Sequence, residues 1–239
     1  MRKALAALFL ILAPLSVWAQ TLSEDEIKAL ALEAIRENPQ IVVEALEAIQ
    51  AEQEAAEAAA QAQTLAARRD LLENDPNAPV VGNPDGETVI VEFFDYNCPY
   101  CKRVAPDVAT LIAENGDLRV VYREWPILGE GSVFAARAAL AARNQGLYEE
   151  MHWALMELEG RADPASVLAA ARSVGLDTDQ LQADMDAPEV VEHFRTSQAL
   201  AQELGITGTP AFVIGDAVVP GAVPLAELQA RVAHMASGN

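Results

Sequence analysis

From residue 22 to about residue 75, apolar side chains recur at helical spacing among Ala, Glu and Gln, with no glycine and no aromatic residue. Ser23 followed by Glu26 is a capping box that opens a helix. Ile27, Leu30, Ala31 and Ala34 then share one face. Asn38-Pro39 breaks this helix and starts another, with Asn38 as the cap and Pro39 in the first turn. Val42, Ala45, Leu46 and Ile49 give the second helix its stripe. From Glu52 to Gln63 every apolar residue is alanine, so that stretch is strongly helical but packs weakly. A helix continuous to Leu72 would be about 50 Å long.

The pattern changes after Glu73–Gly86, which is dense in Asn, Asp, Pro and Gly and reads as a boundary. Val80-Val81 suggests a short strand. Thr88–Phe94 is a run of Val, Ile and Phe, the pattern of a buried strand. Pro99–Glu114 is predicted helical and Leu118–Arg123 a strand. A helical stretch of about 132–204 follows, broken at Gly146-Leu147, Gly160, Gly175 and Pro188. Ala211–Gly215 and Ala217–Val219 read as a hairpin, and Pro224–Met235 as a closing helix. This is an α/β layout around one central sheet. The N-terminal helices cannot build a core alone. Their stripes must meet either the body of the same chain or the same segment of another copy, and self-association through residues 22–72 is the expected outcome.

The first twenty residues carry Arg2 and Lys3, an apolar run from Ala4 to Leu15, and small or aliphatic residues at Val17 and Ala19. This predicts a signal peptide over 1–19, cleaved after about Ala19. The apolar run is shorter than the roughly 20 residues of a spanning helix, the alternative reading. The mature protein is thus expected in an oxidising compartment, most simply a periplasm. Without Arg2 and Lys3 it carries 14 basic against 36 acidic side chains, −22 in all. That excludes nucleic acid as a partner, because phosphate binding needs a basic face.

The 239 residues contain two cysteines, Cys98 and Cys101, between the predicted strand and helix. At a helix N-terminus, free N–H groups and the helix dipole favour the Cys98 thiolate, which is expected at the surface with a depressed pKa. Cys101, one turn on, is more sheltered and can attack a mixed disulfide formed at Cys98. A structural staple would close too small a loop to matter to a domain of this size. A metal site lacks ligands, since His152, His193 and His234 are scattered; two thiolates alone could hold Cu(I). Redox chemistry is the expected role. Glu92 lies inside the apolar strand. It either faces solvent on an edge strand or is a buried acid of raised pKa that exchanges a proton with Cys101.

"EFFDYNCPYCKR", "GITGTPAFVIGD" and "VPGAVPLAELQ" resemble the DsbA-like thiol–disulfide oxidoreductases of thioredoxin fold, over about 79–239 with a helical insertion at about 132–204. The resemblance implies a cis-proline at Pro210, preceded by Thr209, facing the cysteines. It implies the buried acid at Glu92. It places Thr209 and Pro210, with Pro99 and Tyr100, in contact with substrate. The dipeptide Pro99-Tyr100 replaces the Pro-His of the best-known members, removing a positive charge near the thiolate. Thr209 is the residue found in isomerase-type members. With the helical segment at 20–75, the similarity is greatest to the suppressor-of-copper-sensitivity C proteins, whose stalks make trimers or tetramers. The expectation is a periplasmic enzyme that acts on unfolded or misfolded cysteine-containing proteins. It would be an oligomeric isomerase or reductase, with a membrane redox partner and no dissociable cofactor. A monomeric dithiol oxidase and a Cu(I) carrier are the alternatives.

Overall fold

The computed structural model describes residues 22–236; the signal expected over 1–19 lies outside the described residues. The chain divides between Ala55 and Ala56 into two units.

The first unit holds helix α1 (Glu24–Glu37) and the start of α2 (Gln40–Asn74). The capping box is present: Glu26 N–H donates to Ser23 Oγ (3.3 Å) and Ser23 N–H to the Glu26 carboxylate (2.8 Å). Asn38 departs from expectation. It closes α1 instead of capping α2 with its side chain: its amide and its backbone N–H both donate to the Ala34 carbonyl. A helix end leaves carbonyls unpaired, and an asparagine amide one turn on can reach back to one of them. Every residue from Leu22 to Ala60 is exposed. The apolar stripes are therefore bare, with Leu30 and Ile49 each 52% exposed.

The second unit begins at Ala56 and takes in the rest of α2. Its five-stranded sheet has the order β1-β3-β2-β4-β5. The strands are β1 (Val80–Gly82), β2 (Thr88–Phe94), β3 (Leu118–Glu124), β4 (Ala211–Ile214) and β5 (Ala217–Pro220). Helix α3 (Pro99–Glu114) is the crossover between the parallel pair β2 and β3; the other pairings are antiparallel. Between β3 and β4 lie α4 (Glu130–Ala142), α5 (Tyr148–Met156), α6 (Pro164–Ser173), α7 (Thr178–Asp184) and α8 (Pro188–Glu203), and α9 (Leu225–Ala236) follows β5. This is the thioredoxin layout with a helical insertion between its halves, as the family resemblance implied.

Side-chain alternation divides the core. Ile90 and Phe94 of β2 pack with α3, α5 and α9, while Val91 and Phe93 face Leu65 and Leu72 of α2, Leu200 of α8 and Leu204 just past its end. Leu65 and Leu72 are each 1% exposed, and each stabilises by roughly 1.5–3 kcal/mol. Arg123 of β3, fully buried, pairs with Asp75 (2.6 Å) and donates to the Leu71 and Leu72 carbonyls, which end α2 without intrahelical partners. Arg119 donates to the Glu73 carbonyl and Arg143 to those of Pro76 and Asn77. The second half of α2 is thus built into the second unit by packing and by Arg123 and Arg119, while Arg143 holds the turn that follows it.

Candidate active site

β2 carries Glu92 into the site. It is bordered on both sides, by Tyr122 of β3 and Phe212 of β4, so the solvent-facing alternative does not hold. Glu92 shares its face with Ile90 and Phe94 and is 2% exposed. Burial first, and the charge of Cys98 second, push its carboxyl up to about 8.

Cys98 is the N-cap of α3, with Pro99 in the first turn. Its sulfur lies 3.2 Å from the Thr209 carbonyl. The Thr209–Pro210 bond in this turn is cis, and the Thr209 carbonyl lies against the Cys98 sulfur. That corrects one expectation: Cys98 is only 4% exposed, because the turn covers it. Pro99 and Tyr100 are the exposed neighbours, with the Arg103 guanidinium 5.0 Å over the Tyr100 ring. Both cysteines are free thiols. The Cys98 thiol is lowered to about 5, chiefly by a hydrogen bond from Cys101, then by Thr209 and the backbone N–H groups of Cys101 and Tyr100, against the opposing effect of burial. Cys101, fully buried, is pushed far up by burial, by its bond to Cys98 and by the Glu92 charge. One sulfur is a ready nucleophile at neutral pH. The other keeps its proton until a base takes it, and Glu92 is the buried group whose range suits that exchange.

The sequence reading passed over Asp95, Tyr96 and Asn97, which lead into Cys98. All three are buried. The Asp95 carboxylate accepts from the backbone N–H groups of Asn97 (2.7 Å), Ile127 (2.8 Å) and Leu128 (2.9 Å), while its carbonyl accepts from Cys98 N–H. Asn97 accepts from Ala162 N–H (2.6 Å) and donates to Ser132 Oγ (3.1 Å). Gly131 is required beside them, since a Cβ there would collide with the Ala162 carbonyl. The Tyr96 hydroxyl meets His152 Nδ1 at 3.1 Å, and burial lowers His152 to about 3, so it is neutral there. Tyr148 donates to Glu124 (2.7 Å), whose other oxygen is 2.8 Å from His193. His152 and His193 are thus packed in a buried polar network joining the sheet to the insertion. The visible signal was three hydrogen-bonding side chains between a buried strand and a helix start, a place where each needs a partner. Among the described residues no cluster of three or more metal-ligating side chains forms.

The DSBA-like thioredoxin domain family matches residues 89–233. Among solved structures, a thioredoxin-like oxidoreductase from Silicibacter pomeroyi DSS-3 is 60% identical with a TM-score of 0.69, covering 71% of this chain and 98% of its own. A Proteus mirabilis ScsC linker-deletion mutant is 30% identical with a TM-score of 0.72, covering 92% of this chain and 100% of its own. The thiol-disulfide exchange protein alpha-DsbA2 from Wolbachia pipientis is 29% identical with a TM-score of 0.70, covering 75% and 98%. Among curated proteins, the Na(+)/H(+) antiporter NhaA 1 of Salinispora arenicola is 29% identical over 168 residues, 69% of this chain. The match takes up only 26% of that antiporter, so the chain spans about a quarter of the length of such relatives.

Proposed function

Because the chain belongs to the DSBA-like thioredoxin domain family, a family of thiol–disulfide oxidoreductases, we propose that it acts in a periplasm on the cysteines of unfolded or misfolded proteins, as an oligomeric disulfide isomerase or reductase. The observation that carries the chemistry is the opposite displacement of the two thiols, Cys98 to about 5 and Cys101 far upward, over a buried Glu92. The Cys98 thiolate attacks a substrate disulfide. The substrate S–S bond breaks, its leaving sulfur takes a proton, and a Cys98–substrate disulfide forms. In isomerisation a second substrate thiolate displaces Cys98. In reduction Cys101 gives its proton to Glu92 and attacks the Cys98 sulfur, leaving the substrate thiol reduced and the Cys98–Cys101 pair oxidised. A membrane partner then resets the pair. Thr209 offers its backbone to the substrate beside Pro210, with Pro99 and Tyr100 at the rim.

The bare stripes of the first unit support assembly, because a row including Ile27, Leu30, Val42, Leu46 and Ile49 finds no cover in its own unit. A second copy of the same segment covers it. Several catalytic units facing one substrate raise the local concentration of thiolate. Transport is not carried over from the antiporters. The test is solution mass with scrambled-ribonuclease refolding, for the mature chain and for a chain lacking residues 20–55. That deletion spares Leu65, Leu72 and Asp75. Loss of assembly together with most isomerase activity, dithiol oxidation being kept, is the expected result. A mature chain already monomeric at micromolar concentration favours the oxidase reading. Full activity after chelator treatment counts against the copper carrier.

A further inference from the structure

A groove of about 360 Å³ adjoins the cysteines through the Thr209–Pro210 turn. Its lining is the 205–211 loop, Val218 and Pro220 of β5, Gly221, and one residue from outside this region, Gln61 of α2. The groove is continuous with the redox site, since Thr209 lines it and carries the carbonyl 3.2 Å from the Cys98 sulfur. β5 is the last strand of the sheet. The space beside the α-carbons of Gly205, Gly208 and Gly221 is open, so another backbone can come close. The Gln61 amide has a settled orientation: its nitrogen donates to the Leu204 carbonyl at 2.9 Å, which only an N–H can do. Its oxygen therefore points elsewhere, and accepts from no donor among the described residues.

We propose that Gln61 binds substrate: its amide oxygen accepts a main-chain N–H from the extended polypeptide joined to Cys98. The occupant is a segment of a cysteine-bearing protein, because the groove runs from Cys98 along Thr209 and would receive a chain bonded to that sulfur. Such a chain lies along a sheet edge and is held by main-chain bonds, with side chains alternating outward. A glutamine reading backbone N–H is indifferent to sequence, which fits an enzyme that meets many misfolded chains. Gln61 lies outside the matched residues 89–233, so the contact belongs to α2 and not to the shared catalytic domain. Helix α2 thereby has a part in catalysis beyond any part in assembly.

This proposal rests on the oxidoreductase reading, and the experiment separates the two. The mature chain, reduced, is reacted with hydroxyethyl disulfide and with a short unstructured peptide whose single cysteine carries the mercaptoethanol mixed disulfide. In Gln61→Leu, the ratio of peptide rate to hydroxyethyl disulfide rate falls about fivefold, the worth of one ordinary hydrogen bond. Methylating the peptide's backbone nitrogens one at a time finds a position that slows the unsubstituted chain by a similar factor and leaves Gln61→Leu unaffected. An unchanged ratio overturns the proposal. So does an equal fall in both rates, which would place the effect on Cys98 itself. Insensitivity of the unsubstituted chain to every methylation also overturns it, whether or not the variant folds. If the unsubstituted chain reacts with neither disulfide, the oxidoreductase reading fails first and this one with it.

Discussion

At the scale of single residues, the site depends on where protons sit. Glu92, raised from 4.5 to about 8 by burial and by the Cys98 charge, is mostly protonated at pH 7 in the reduced chain. Once Cys98 is held in a mixed disulfide that charge is gone, and the carboxylate that takes the Cys101 proton is favoured. A group raised on folding gives stability that is full below its unfolded value and is lost as pH rises through its folded value. Native stability should therefore decline between about pH 4.5 and 8 on this account, and Glu92→Gln should remove that decline. The same variant should slow the attack of Cys101 on a mixed disulfide about a hundredfold near neutral pH, as loss of a general base does. Urea melts across pH and single-turnover kinetics check both; an unchanged pH–rate profile returns Glu92 to a packing role. Asp95 makes a cleaner case for geometry. Asp95→Asn and Asp95→Ala remove the same charge, so a purely electrostatic influence moves the Cys98 titration equally in both. Asparagine keeps one acceptor for the Ile127 and Leu128 N–H groups, whereas alanine keeps none. We expect the thiolate midpoint, followed by ultraviolet absorbance, to lie about a unit higher in the alanine variant than in the asparagine one. Coincident midpoints would show that the hydrogen bonds do not position Cys98.

Among the elements, those with strong periodicity were legible. β2 and α3 fall at Thr88–Phe94 and Pro99–Glu114, where a buried run and a helix led by Pro99 placed them. The breaks in the insertion fall near Gly146, Gly160, Gly175 and Pro188, because the five helices α4 to α8 are joined by turns there. The pattern could not show that one continuous helix, α2, would divide between two units, since the alanines of 51–60 look alike whether bare or covered. Nor could it show which arginine would be buried. Arg123 is the residue that decides this for α2. Burial lowers its pKa, but Asp75 beside it holds the charge. Arg123→Ala leaves Asp75 and two helix-end carbonyls unpaired and should cost about 3–5 kcal/mol in urea unfolding. Combining Arg123→Met with Asp75→Leu should recover most of that loss. A single-variant cost below about 1 kcal/mol would mean that α2 is held by Leu65 and Leu72 alone.

For the molecule as a whole, redox state and stability are one linked quantity. Cys98, lowered from 9.0 to about 5, stabilises the reduced fold fully above pH 9, and that contribution is lost as pH falls through 5. The oxidised fold has no such group. The melting temperature of the reduced chain should therefore gain on that of the oxidised chain as pH rises from about 5 to 9, which also makes the disulfide the more oxidising partner. Scanning calorimetry of the two forms tests this, and parallel curves would contradict the low Cys98 value. The covering of Cys98 by the Thr209–Pro210 turn has a separate consequence, for damage. An uncovered thiolate meeting peroxide climbs from sulfenic to sulfinic acid, a loss that is hard to reverse. Here a sulfenic acid would form on a residue only 4% exposed, with a second thiol already hydrogen-bonded to its sulfur. Condensation with that thiol expels water and returns the chain to its ordinary disulfide. With two cysteines in the whole sequence, hydrogen peroxide should leave one cysteine product by intact mass, two hydrogens lighter. Cys101→Ser, lacking the rescuing thiol, should instead accumulate oxygen adducts.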